Sequence, residues 1–331
     1  MTSKLNIAIM AGGNSPEANI SLKGVTQIKG WLDSKRFNAY TILVKGNNWT
    51  LEHESLGSIP VDKNDFSVNI KGNKLTFHCA LMAIHGNPGE NGLLQAYFEM
   101  LHIPYTTGGV MNSAATFNKH FCKMLVRDTG VMLAKEVIIR HGQAYDINQI
   151  SNSLGLPVFV KPNENGSSYG VTKVKKIEEL KPAIEKAFKE DKTVIIEEFI
   201  AGREFTCGVF KYSKGDVLMP VTEIVPDTEF FDYEAKYLNK SKEITPAPIP
   251  DELKNRIQQV SSKIYDTLQC NGVVRVDYIV SNDKIYFLEI NTVPGMSETS
   301  LVPQQVKAMG WNMTELYSAV IDDAIKRSSF Y

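Results

Sequence analysis

With 331 residues, 43% of them hydrophobic and 22% charged, the chain can bury two or three cores and is no disordered tail. A formal net charge of -1, with no dense local block of Lys and Arg, excludes bulk attraction to nucleic acid or an anionic membrane and leaves a small molecule as the expected partner. The four cysteines are scattered without a C-x-x-C pair and the six histidines lack metal-ligand spacing, which argues against a disulfide framework or a zinc ribbon. The opening segment shows no long apolar core or cleavage site and no later run approaches a membrane span, so a cytoplasmic protein is expected.

The first third alternates strand and helix patterns: "LNIAIMAG", "SLKGVTQIKGWLDS", "YTILVKG", "LTFHCALMAIHG" and "NGLLQAYFEMLHI". This predicts an α/β domain with a parallel sheet. Its first turn, Ala11-Gly12-Gly13-Asn14-Ser15-Pro16, is not G-x-G-x-x-G, which argues against a Rossmann oxidoreductase. The glycine pair still suits close approach of backbone to a ligand, with Glu17 just beyond; Ser15-Pro16-Glu17 equally suits a plain helix start.

From Met111 the pattern changes. An amphipathic helix, "AATFNKHFCKMLVRDTG", precedes strand "AKEVIIR", helix "DINQISNSLG", strand "PVFVKP", strand "VTKVKK", helix "IEELKPAIEKAFKED" and strand "TVIIEEFI", a small α+β unit. Between two of these strands, Gly166-Ser167-Ser168-Tyr169-Gly170 has the small residues whose backbone N–H groups fold over phosphate; such a loop alone is more often an ordinary turn. Lys161, ending the preceding apolar strand, supplies an ammonium that can address the same polyphosphate, although this is no Walker A loop. Glu197 and Glu204, at the ends of "VIIEEFIAGREF", can accept hydrogen bonds from an adenine amine and ribose hydroxyls; taken alone they read as solvated strand-end charges.

The remainder holds strands "REFTCGVFKY" and "DVLMPVTEIV", a polar loop, a long helix from Asp251 to Gln269, a hairpin and a closing helix. The hairpin, "GVVRVDYIVSNDKIYFLEINTVPGMS", alternates so that Arg275, Asp277 and Ile279 share one face of its first strand. In its second strand the same rule groups Ile285, Phe287, Glu289 and Asn291. A loop with an odd number of residues would set Asp277 opposite Glu289 and Arg275 opposite Asn291, whereas a two-residue loop would throw the carboxylates onto opposite faces; the odd loop is predicted. Two ionised carboxylates side by side in a half-buried sheet cost several kcal/mol unless something positive compensates. Arg275 can do so within a structural network, or a cation can; Asn291 beside the two acids makes a hard oxygen set suited to magnesium rather than zinc.

The order of these pieces, Lys119, Lys161 with its G-S-S-x-G loop, E-x-x-x-x-x-x-E, R-x-D and E-x-N-T-x-P-G-M, resembles the ATP-grasp superfamily, and within it most closely the D-alanine:D-alanine ligase family. The similarity runs over nearly the full chain, through "GGNSPEANISL", "AIHGNPGENGLLQ", "YTTGGVMNSA", "VKPNENGSSYGV", "FFDYEAKY", "VVRVDY" and "LEINTVPGMSETSLVP". It implies an N-terminal parallel-sheet α/β domain (1–110) for the first substrate, then a central ATP-grasp unit (111–205) and a C-terminal one (206–331) that sandwich ATP.

By the same resemblance Asp277, Glu289 and Asn291 hold two magnesium ions, with manganese an alternative. Lys119 and Lys161 contact the α- and β-phosphates, Ser168 and Lys236 the γ-phosphate, Glu197 the adenine amine and Glu204 the ribose, while Phe199 flanks the base and Ile200 contributes a backbone contact. Glu17 receives the ammonium of the first D-alanine in a trio with Ser167 and Tyr237, near His85. Ser300 and Leu301 hold the carboxylate of the second, and Arg275 with the Gly295 amide stabilises the oxyanion. The implied reaction is ATP-dependent formation of D-alanyl-D-alanine through an acyl phosphate, for peptidoglycan precursors, in a homodimer without nucleic-acid or membrane partners. A second substrate such as D-lactate or D-serine, another ATP-grasp carboxylate-amine ligase and a non-enzymatic nucleotide sensor are the rival readings. Ala18, Asn19 and Asn91 depart from the residues that many relatives carry at these positions.

Overall fold

The computed structural model describes residues 3–166, 169–226 and 241–328. Three sheets organise them. In the first, β1 (Leu5–Gly12) lies parallel to β2 (Phe37–Lys45), reached through α1 (Ala18–Trp31), and parallel to β7 (Cys79–Met82) on its other side. A parallel strand covered on both faces reads as an unbroken apolar run, and β1 is sealed from solvent from Ile7 to Ala11. The parallel character stops there. β3 (Asn48–His53), β4 (Gly57–Asp62), β5 (Ser67–Ile70) and β6 (Asn73–Leu75) extend the sheet as an antiparallel meander, in the order β6-β5-β4-β3-β2-β1-β7. Their short polar connections suit hairpins and are too brief for the crossovers that parallel pairing requires. α2 (Leu93–Met100) follows β7 and packs over the sheet.

The single amphipathic helix expected after Met111 is two: α3 (Val110–Phe117) and α4 (Lys119–Val126). Asn118 between them is extended, and its side chain caps α4 by accepting from the Phe121 N–H at 3.0 Å, so Lys119 opens the second helix. Then come β8 (Glu136–Arg140), α5 (Ile147–Leu154), β9 (Val158–Pro162), β10 (Thr172–Val174), α6 (Leu180–Ala187) and β11 (Thr193–Glu198). They form a four-stranded antiparallel sheet, β10-β9-β11-β8, over a core of its own.

The third sheet has the order β15-β14-β12-β16-β17, with β13 on β12. Its members are β12 (Arg203–Tyr212), β13 (Gly215–Leu218), β14 (Thr222–Pro226), β15 (Ser241–Ile244), β16 (Val274–Ser281) and β17 (Lys284–Asn291). α7 (Asp251–Thr267) backs it. The closing helix is also split, into α8 (Leu301–Ala308) and α9 (Met313–Ser328), at Gly310, whose φ of 83° is one that glycine adopts without strain. Ile7 and Ile9 of β1 and Val25 of α1 share one core with Phe210 of β12, Val302 of α8 and Leu316 of α9, so the first and third sheets are fastened together.

The hairpin corrects one expectation and meets its consequence. Its loop has two residues, Asn282 and Asp283, both left-handed at φ 49° and 60°, the signature of a tight primed turn. Ser281 pairs with Lys284 and Tyr278 with Phe287, but Asp277 pairs with Glu289 and Arg275 with Asn291. A β-bulge absorbs Leu288 between the two registers. Ile285 and Phe287 therefore turn into the core with Tyr278, away from Glu289, contrary to uninterrupted alternation.

Candidate active site

Two cavities meet among these elements. The smaller, about 330 Å³, lies between the four-stranded sheet and the third sheet; the larger, about 550 Å³, runs from α1 to the turn that follows β17. Lys119, Asn165, Gly166 and Glu289 line both.

Lys161 of β9, Glu197 of β11, Glu204 of β12, and Phe199 and Ile200 from the connection between β11 and β12 line the smaller cavity, with Ile279, Tyr286 and Leu288 as its apolar floor. Glu197 is buried, with Lys161 Nζ 2.5 Å from one carboxylate oxygen and Lys123 Nζ 2.8 Å from the other. Burial alone would raise its pKa; the Lys161 and Lys123 ammoniums outweigh it and hold the carboxyl down at about 2. Lys123, itself buried, also reaches Glu136 at 2.5 Å and donates to the Ala134 carbonyl at 2.9 Å. Lys119 donates to the Asn165 carbonyl at 2.6 Å, which ties α4 to the loop after β9.

At the junction, Asp277 is buried and fully engaged. Its Oδ1 accepts from Thr206 Oγ1 at 2.6 Å and Arg275 Nε at 2.9 Å; its Oδ2 accepts from Arg275 Nη2 at 2.7 Å and Asn291 Nδ2 at 2.9 Å. The compensation by Arg275 that the sequence left open is thus present, alongside the oxygen set.

In the larger cavity, buried Glu17 sits at the N-cap of α1. A methyl group built on Gly166 would lie 2.5 Å from Glu17 Oε2, so a side chain on the loop after β9 would have to push the Glu17 carboxylate aside. The segment after β7 closes the other side. His85 Nδ1 donates to the Val293 carbonyl at 2.9 Å, while Glu90 accepts from the Gly86 N–H at 2.6 Å and the Val293 N–H at 3.2 Å. Burial holds the His85 imidazole below its usual pKa although Glu17 opposes the shift. Burial also pushes the Glu90 carboxyl up to about 8, and the Glu17 charge adds to it. Ser300 stands at the N-cap position of α8, its hydroxyl turned to the Ser297 hydroxyl at 2.7 Å; Leu301 opens that helix, and a methyl on Gly295 would lie 3.1 Å from Ser300 Oγ.

Family models described as D-ala D-ala ligase N-terminus and C-terminus match residues 6–108 and 125–322. The chain belongs to the D-alanine–D-alanine ligase family. A D-alanine–D-alanine ligase of Parabacteroides distasonis is 46% identical over 324 residues, 98% of each chain. Among solved structures, the VanG D-Ala:D-Ser ligase of Enterococcus faecalis is 30% identical with a TM-score of 0.86, covering 98% of this chain and 100% of that one. The Bacillus anthracis D-alanine–D-alanine ligase complexed with ATP is 26% identical with a TM-score of 0.79, covering 98% and 99%.

Of the residues expected for this family, Glu17, His85, Arg275, Gly295, Ser300 and Leu301 line the larger cavity and Lys161, Glu197, Phe199, Ile200 and Glu204 the smaller. Lys119 and Glu289 line both, and Asn291 lines the larger. Asp277 lies behind them, within reach through Arg275 and Asn291. Ser167, Ser168, Lys236 and Tyr237 lie outside the described residues. The donor chemistry fits a hard divalent cation: two carboxylates directly opposed across β16 and β17, with an amide two pairs further on and on the same face. Among the described residues no three His, Cys, Asp or Glu side chains form a metal cluster. Among the same residues no helix is long and apolar enough to cross a membrane.

Sequence reasoning missed Lys123, Glu136, Thr206 and Glu90. Lys123 follows Lys119 by four residues, so both lie on one face of α4, and that spacing was the available signal. Thr206 carries no such signal, since its bond to Asp277 exists only in the register that sets β12 against β16.

Proposed function

We propose that the chain joins two D-alanines into D-alanyl-D-alanine, activating the first as an acyl phosphate with ATP and releasing ADP and phosphate, to supply peptidoglycan precursors in the cytoplasm. One observation carries this reading: Glu289 and Lys119 line both cavities, so a nucleotide in the cleft between the sheets presents its terminal phosphate to an acid beside Glu17 and Arg275. Phosphoryl transfer to a carboxylate needs positioning and charge stabilisation rather than a protein nucleophile.

Lys161 and Lys119 steady the phosphates, Glu197 and Glu204 accept hydrogen bonds from the base and ribose, Phe199 flanks the base and Ile200 meets it through its backbone. Glu17 takes the first ammonium, next to His85. Ser300 and Leu301 take the second carboxylate, and Arg275 with the Gly295 N–H faces the oxyanion formed when the amine attacks. Asp277, Glu289 and Asn291 would hold magnesium, as two ions, or manganese; when bound, the metal neutralises charge on the phosphate oxygens. Ser167, Ser168, Lys236 and Tyr237 complete the set by resemblance. The working divisions are 1–110, 111–205 and 206–331, and the active form is a homodimer.

The relative at 46% identity bears the D-alanine–D-alanine name, whereas the D-Ala:D-Ser ligase stands at 30%, which favours the dipeptide over a D-serine or D-lactate product. ADP release by the purified protein with ATP, Mg²⁺ and D-alanine, against L-alanine, tests the reading. D-Alanine-dependent release with dipeptide formation is expected. Release driven by another amino acid, or ester formation with D-lactate outrunning the dipeptide at neutral pH, overturns it.

A further inference from the structure

Beyond Asn291, the last residue of β17 paired with β16, the chain to Leu301 has no ladder to hold it, yet it carries Gly295. Stabilising an oxyanion requires that amide within a fraction of an ångström of its place. Val293, midway between Asn291 and Gly295, is gripped at both backbone groups by the segment after β7. Glu90 Oε1 takes its N–H at 3.2 Å and His85 Nδ1 donates to its carbonyl at 2.9 Å. The second Glu90 oxygen takes the Gly86 N–H at 2.6 Å, and the Glu90 N–H donates back to the Gly86 carbonyl at 2.8 Å. Gly86 abuts the first-substrate carboxylate, since a methyl built on it would lie 3.3 Å from Glu17 Oε2.

We infer that Glu90 is a positioning residue for the ligation: its planar carboxyl, bonded to one backbone N–H beside Glu17 and one in the turn carrying Gly295, fixes the spacing between the first-substrate carboxylate and the oxyanion donor. The inference rests on the site assignment proposed above. An ordinary staple would need one such bond within a single segment; this one spans 203 positions of sequence and ends at the two places whose separation the reaction depends on. Both bonds at once need the ionised carboxyl, so the kinetics are read at about pH 9, above the value of about 8 to which burial raises Glu90. Glutamine presents an amide N–H to one of the two donors, so E90Q keeps the shape and loses one bond, and E90A loses both.

With kcat expressed per ATP-binding site, E90Q lowers kcat about 10- to 100-fold and E90A further, since a misplacement of about 1 Å costs roughly that much. The KM for ATP stays within about twofold, because Glu90 lines the larger cavity and not the smaller. In hydrogen exchange, the peptide spanning 289–297 loses protection in E90Q while the strands of the four-stranded sheet do not. A purely structural staple lowers the number of ATP-binding sites and leaves kcat per site unchanged; that outcome overturns the inference, as does unchanged exchange at 289–297. Should E90A fail to fold, E90Q decides alone. R275A, measured in parallel, separates the two failures: an active R275A sinks the site assignment, while an inactive R275A with normal E90Q sinks only the role of Glu90.

Discussion

Glu197→Gln isolates the electrostatics of the smaller cavity. Glutamine has the shape of the protonated acid, so the variant mimics wild type with this one carboxyl neutralised. Lys161 at 2.5 Å and Lys123 at 2.8 Å hold the carboxyl at about 2 against an ordinary 4.5, in spite of its burial. At ~1.36 kcal/mol per pH unit, that displacement corresponds to roughly 3 kcal/mol of native-state stability. The sign is that of a depressed acid: the contribution is complete above the unfolded pKa of 4.5 and is lost as pH falls through about 2. Urea unfolding of wild type and E197Q from pH 7 downward reads it. The stability gap is expected at roughly 3 kcal/mol at neutral pH, flat to about pH 5, and closing below 4.5. A gap that stays constant down to about pH 3 refutes the reasoning, because the loss would then come from packing and not from the ion pairs. A missing gap at neutral pH refutes it equally.

Arg275→Ala is expected to lower kcat by on the order of a hundredfold or more while ATP still binds, read by steady-state kinetics beside equilibrium nucleotide binding; near-normal turnover removes the oxyanion role. Deleting Leu288 takes the bulge out of β17 yet leaves Phe287 opposite Tyr278 and Glu289 opposite Asp277, so regular alternation keeps Ile290 in the core and Glu289 and Asn291 on the site face. Mg²⁺-dependent ATP binding is expected to survive, read by equilibrium nucleotide titration with and without Mg²⁺, with only the Leu288 side chain lost from the cavity floor. A deletion variant that folds but has lost Mg²⁺-dependent ATP binding contradicts the register argument.

Much of the fold was legible because local signals agreed with it. The sealed run in β1, the Asp146 cap that accepts from the Asn148 N–H at 2.8 Å at the start of α5, and the long amphipathic α7 are each written into a few adjacent residues. The meander of β3 to β6 was not, since its strands are short and half-exposed and lack a strong apolar period. Lys123 was missed for a different reason. On a helix it reads as a solvated charge, and only Glu197, 74 residues away on another sheet, turns it into a buried partner. Glu90 is the same case, with its second partner 203 residues along the chain.

The register of the β16–β17 hairpin settles a conflict between core and cavity that strict alternation leaves in place. Unbroken alternation put Ile285, Phe287, Glu289 and Asn291 on one face, half apolar and half polar, a face that suits neither a core nor a phosphate site. An odd loop would have brought Glu289 opposite Asp277 at the cost of turning Ile285 and Phe287 toward the nucleotide cleft and Tyr286 and Leu288 into the core. The bulge at Leu288 removes the conflict, because it reverses the phase of β17 between Phe287 and Glu289. Ile285 and Phe287 then pack with Tyr278 before the bulge and Ile290 packs after it, while Glu289 and Asn291 stay with Asp277 and Arg275. The buried positions 285, 287 and 290 carry that slip as a break from a spacing of two to a spacing of three. A two-residue turn and a bulge thus satisfy the core and the site together, which no choice of loop length could do alone.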